Sequence, residues 1–131
     1  MPLTILCVQD DQRALMARSL IFSIAGYDVQ TATSEEMALR LFAQYEVDIV
    51  IAEHCLPVMN GVQLTRLMKE VEPEVQVALL TDMDMLGLAR HAELVLPKCM
   101  EPEQMLAAIR MLAARRRPSL VPTYKKAANS N

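Results

Sequence analysis

The stretch 49–61, IVIAEHCLPVMNG, decides how this chain folds. Its first four residues are apolar without a polar break, the pattern of a strand covered on both faces, as in a parallel sheet. The run stops at a carboxylate, Glu53, where the chain leaves the apolar layer. A turn with Pro57, Asn60 and Gly61 follows, and then NGVQLTRLMKEVE (60–72), a helix that Pro73 ends. The strand itself is placed at 47–52.

The same alternation recurs outward in both directions. Further strands are read at LTILCV (3–8), a continuous apolar run, and at YDVQTA (27–32), EVQVALL (74–80) and ELVLP (93–97). Between the first two, RALMARSLIFSIAG (13–26) shows helical spacing through Met16, Leu20 and Ile24, with Gly26 as its stop. TSEEMALRLFAQY (33–45) opens with Thr33 or Ser34 as N-cap and Glu36 as an early acid, a capping-box-like start. DMDMLGLAR (82–90) supports only a short or irregular fourth helix. EPEQMLAAIRMLAARRR (101–117) makes the last helix, with Pro102 in its first turn and arginines at its negative end. Residues 118–131 lose periodicity and read as a flexible C-terminal tail on a domain spanning 1–117.

Five strand–helix units predict a flavodoxin-like, doubly wound (βα)5 α/β fold with a five-stranded parallel sheet. Right-handed crossovers then bring the C-terminal ends of all strands to one edge, where ligand chemistry collects.

Bulk properties narrow the function. At 131 residues the chain suits one domain that buries about two-thirds of its unfolded surface, and 53% apolar content supplies a core. A net charge of −3 makes no case for nucleic-acid binding. No apolar run approaches the roughly 20 residues of a membrane span, and the opening MPLTILCVQDD is not read as a secretory leader. Cys7, Cys55 and Cys99 lack CxxC spacing and fit a reducing, cytoplasmic setting.

At the strand ends the chain delivers Gln9, Asp10 and Asp11, then Glu53, then Thr81 with Asp82, then Lys98. Clustered acids with one Lys and one hydroxyl suit Mg²⁺ and a phosphoryl group, because hard oxygens hold the metal and the Lys and hydroxyl bind phosphate oxygens. Asp10 and Asp11 are also good helix N-caps. Cys55 and Cys99 fall at the same edge and are read as surface thiols rather than a redox pair. His54 is read as a solvent-facing loop residue. Met16, Met68, Met105 and Met111 are read as core and helix-face filler.

With ILCVQDD, GYDVQTA, VDIVIAEHCLPVMNG, VALLTD and LVLPK in this order, residues 3 to 115 resemble the receiver domain of two-component response regulators. The resemblance implies that Glu53 stands where the family has an Asp phosphorylated by a histidine kinase. Thr81 and Lys98 would be the phosphate-sensing pair, and Gln9 and Asp10 the metal-binding acidic pair, with Asp11 as a frequent extra acid.

Four departures from the family pattern carry the functional expectation. Glu53 is longer than Asp by about 1.5 Å, and a misplacement of about 1 Å can cost on the order of 10²-fold in a positioned reaction. Its carboxylate is carried toward where a phosphoryl group would sit and is placed to pair with Lys98, a partial mimic of the phosphorylated state. Gln9 removes one anion from the Mg²⁺ site, so Asp10 and Glu53 would hold Mg²⁺ at most weakly and no cofactor is required. Val95 occupies the position of the family's switch aromatic. The Thr81–Lys98 interval is about five residues short, a little over one turn at about 3.6 residues per turn.

The expectation is a stand-alone, degenerate pseudo-receiver that is not an enzyme and acts by protein–protein contact. A histidine kinase or downstream effector is the implied partner, a homodimer is left open, and neither nucleic acid nor membrane is involved. The alternatives are a phosphorylatable receiver using Mg²⁺-dependent acyl-phosphate chemistry, and an FMN-binding or thiol redox protein of the same fold.

Overall fold

The computed structural model describes residues 2–82, 87, 88 and 90–115. Five parallel strands, β1 (Thr4–Val8), β2 (Asp28–Ala32), β3 (Ile49–Glu53), β4 (Gln76–Thr81) and β5 (Leu94–Pro97), form one sheet in the order β2-β1-β3-β4-β5. The described helices are α1 (Gln12–Ile24), α2 (Glu35–Gln44), α3 (Gly61–Val71) and α4 (Pro102–Arg115). The expected doubly wound architecture is the one observed.

Two apolar layers hold the sheet. Leu15 and Phe22 of α1 and Met105, Ile109 and Leu112 of α4 pack on Ile5, Cys7, Ile49 and Ile51. Ala38 and Phe42 of α2 and Leu64 and Met68 of α3 pack on Leu6, Val8, Val50 and Ala52 on the other face. Successive strand residues thus feed opposite layers, which is why the central strands read as unbroken apolar runs.

The helix starts follow from their caps. Asp11 caps α1, its carboxylate accepting from the N–H groups of Arg13 (3.0 Å) and Ala14 (3.4 Å). Ser34, rather than Thr33, caps α2. The full capping box lies at α3: the Asn60 side chain accepts from the Gln63 N–H, and the Gln63 side chain accepts from the Asn60 N–H, both at 2.9 Å.

Three expectations need correction or placement. α1 forms where expected, but Met16, Leu20 and Ile24 are its outer face, 64%, 60% and 78% exposed, while Leu15 and Phe22 face the sheet. This phase buries the Phe22 ring, which meets Tyr27 edge-on. In the β4–β5 connection, Gly87, Leu88, Arg90 and His91 adopt 3₁₀ conformation, in keeping with an irregular fourth helix. The tail expected at 118–131 lies outside the described residues, as do 83–86 and 89 within that connection.

Candidate functional site

Strand alternation sorts the residues at the C-terminal edge onto two faces. Cys7 pairs with Ile51 and Val8 with Ala52, so one step further Gln9 stands opposite Glu53. Cys7 and Ile51 belong to the layer under α1 and α4, and Gln9 and Glu53 therefore point toward α1. By the same rule His54 and Thr81 share the opposite face, following Ala52 and Leu79.

Glu53 ends β3 with its side chain 6% exposed, and its carboxylate is in direct contact with the Lys98 ammonium. The Lys98 backbone N–H donates to the Thr81 carbonyl at 2.9 Å, which continues the β4–β5 ladder and sets where the lysine leaves the sheet. The hydrogen bond to Glu53 raises the Lys98 pKa. Burial acts against that rise, and the charges of Glu53, Asp82 and Cys55 add to it.

Arg18 enters the same space from α1. It lies three residues after Leu15 and four before Phe22, on the sheet-facing side, and its Nη1 donates to Gln9 Oε1 at 2.5 Å. Gln9 is buried. Burial lowers the Arg18 pKa, opposed by Cys7 and Glu53. The Cys7 thiol is itself pushed up to about 12 by burial, so it is neutral and inert at ordinary pH.

The other face is less engaged. The Thr81 hydroxyl is buried and makes no hydrogen bond among the described residues, so the contact that Glu53 makes with Lys98 does not extend to it. His54, read from sequence as solvent-facing, is instead buried, and its Nδ1 has no hydrogen-bond partner among the described residues. Its backbone explains this: the His54 N–H donates to the Leu80 carbonyl at 2.8 Å, prolonging the ladder one residue past β3. Burial lowers its pKa, which keeps the ring neutral. Val95 is half-buried on β5 opposite Leu79. Cys55 and Cys99 are exposed.

The loop after β3 has a clamp that the sequence did not reveal. Glu35, the first residue of α2, is buried, and its Oε2 accepts from the backbone N–H groups of Val58 and Met59 (2.8 Å for Met59). Burial raises its pKa, but the N–H groups of Met59, Glu35 itself and Val58 outweigh this and hold the carboxyl below its ordinary value. The acid noticed in the sequence, Glu36, instead makes an exposed pair with Arg40. The loop closes where the Gly61 N–H donates to the His54 carbonyl at 2.8 Å. A Cβ at Gly61 would come within 2.9 Å of His54 Cα and 3.2 Å of the Glu53 carbonyl oxygen, so only glycine lets the loop close this tightly.

The donor set does not fit Mg²⁺. Gln9 offers a neutral amide oxygen already taken by a guanidinium, Glu53 is engaged by Lys98, and Asp11 caps a helix, which leaves Asp10 and Asp82 as exposed carboxylates among the described residues. Among the described residues no cluster of three or more His, Cys, Asp or Glu is placed to hold a metal.

A parallel sheet of this order, with Glu53, Thr81 and Lys98 converging on its C-terminal edge, defines a receiver-type signalling module. The chain belongs to the response regulator receiver domain family, whose model matches residues 5–110. It is 33% identical over 125 residues to the response regulator MprA of Mycolicibacterium vanbaalenii, covering 90% of this chain and 53% of that protein. The chain spans about half the length of the curated relatives it matches. Among solved structures, the signal receiver domain of an HD domain-containing protein from Pseudomonas fluorescens Pf-5 superposes with a TM-score of 0.81 at 26% identity, covering 88% of this chain and 98% of that one. The CheY-like receiver domain protein of Methanospirillum hungatei JF-1 shares the fold, with a TM-score of 0.82 at 20% identity over 88% of this chain and 97% of its own. No described helix is long and apolar enough to cross a membrane.

Proposed function

We propose that this receiver domain is degenerate: it signals by protein–protein contact, with Glu53 in place of the phosphorylatable Asp and partly mimicking the phosphorylated state. The observation that carries the reading is the contact of the buried Glu53 carboxylate with Lys98, the cation left to bind a phosphoryl oxygen. One carboxylate supplies less charge and fewer acceptor oxygens than a phosphoryl group, and a Thr81 hydroxyl with no hydrogen bond among the described residues fits a mimic that is incomplete. A cytoplasmic setting, a histidine kinase or downstream effector as partner, and the absence of catalytic turnover belong to this proposal. The family match favours a receiver over the FMN or thiol redox reading.

The test is intact-mass spectrometry after incubation with acetyl phosphate and Mg²⁺, on the native chain and on Glu53→Asp. The native chain is expected to gain no phosphoryl group. A gain there would overturn the proposal in favour of the phosphorylatable reading, and a gain confined to Glu53→Asp would trace the loss to one methylene.

A further inference from the structure

α1 turns three apolar side chains outward and a guanidinium inward. A charged group among sheet-facing positions is uncommon and persists where a partner compensates it. Arg18 has one hydrogen-bonded partner, the Gln9 side-chain oxygen at 2.5 Å, and the negative charge of Glu53 acts on it without a direct ion pair. Both stand on the α1 face of neighbouring strands, in the space a divalent cation would enter to reach positions 9 and 53 together. Among the described residues the charges at this edge are four acids, Asp10, Asp11, Glu53 and Asp82, against two bases, Arg18 and Lys98. The bases therefore already offset half of the negative charge that would attract an ion, and both act on Glu53. Position 9 fits this arrangement, since an amide accepts from Arg18 without competing with Glu53 for a cation.

We propose that Arg18 is the resident cation of this site, its guanidinium, held on Gln9, taking the charge role of a divalent metal on the face that positions 9 and 53 share. The inference rests on reading this edge as the receiver's acidic pocket and deepens that reading: the pocket is closed to divalent ions by a residue of α1 as well as by the loss of an acid at position 9. Arg18 acts as a positioning residue through Gln9 and Glu53.

Titration with Mn²⁺, followed by the loss of the free-ion paramagnetic resonance signal and with no phosphoryl donor present, tests it. The variants are Gln9→Asp, Gln9→Asp/Arg18→Met and Gln9→Asp/Arg18→Lys, each checked for a native circular dichroism spectrum. Restoring the acid alone is expected to leave binding weak, because Asp at position 9 pairs with Arg18. Removing the charge as well should tighten binding by on the order of tenfold or more, the scale on which groups around a metal alter its affinity. Arg18→Lys keeps a charge and should stay weak, which a purely structural role would not predict. Equal binding by Gln9→Asp and Gln9→Asp/Arg18→Met, or tight binding by the native chain, overturns the inference. Should Arg18→Met not fold, equal affinity of Gln9→Asp and an isolated family-type acidic site such as that of a phosphorylatable receiver would overturn it instead. The degenerate-receiver reading fails separately, on phosphoryl gain by the native chain.

Discussion

Glu53, Lys98 and Glu35 show how much a single carboxylate's partner decides. Removing the ammonium leaves Glu53 buried without its cation, so Lys98→Ala should lower stability by roughly 1–3 kcal/mol, the cost of stranding a buried polar group. Urea unfolding measures it, and an unchanged midpoint would mean that the pair holds nothing in place. The raised Lys98 pKa makes this contribution complete at neutral pH, and it fades only as alkali carries the solution past the ordinary lysine value through the raised one. Glu35 has the opposite sign. Its pKa is depressed in the folded chain, so its contribution is full above the ordinary Glu value of about 4.3 and is lost as pH falls through the folded value. Glu35→Gln should cost roughly 1–3 kcal/mol at neutral pH. It should also flatten the stability profile in that acid window, as thermal melts at stepped pH would show.

At the scale of elements, α1 is where sequence pattern and structure part. The spacing of Met16, Leu20 and Ile24 announced a helix but not which of its sides is buried, because apolar residues occupy both sides and only the sheet decides which is covered. Phe22→Ala is therefore expected to destabilise by about 3–5 kcal/mol, as for a buried aromatic. Ile24→Ala should stay within about 0.5 kcal/mol, as for a surface site. The reverse ranking in denaturant unfolding would show that the helix is rotated. α2 teaches a related lesson: Ser34 was a readable cap, but the partners of Glu35 lie 23 and 24 residues away, and no local pattern announces them.

For the molecule as a whole, the sheet was readable because a parallel strand buried on both faces leaves a nearly uninterrupted apolar run, as the central β1, β3 and β4 do, whereas the edge strand β2, with Asp28, Gln30 and Thr31, was placed without one. The converging set of Glu53, Thr81 and Lys98 followed from topology, since right-handed crossovers leave one edge for all strand ends. Arg18 was not readable as part of the site, because its role depends on which way α1 is turned, and the burial of His54 depends on a backbone bond to Leu80. One further property follows from the segment between β3 and α3. It is tied at both ends by the His54–Gly61 bond and held near its middle by Glu35. A segment fastened this way measures its own length. Exchanging the exposed side chains of Cys55, Pro57 or Val58 can leave all three ties intact, whereas inserting or deleting one residue breaks at least one of them. Mutation can thus explore this segment's letters but not their number, and the three ties hold the spacing from Glu53 to the next helix fixed.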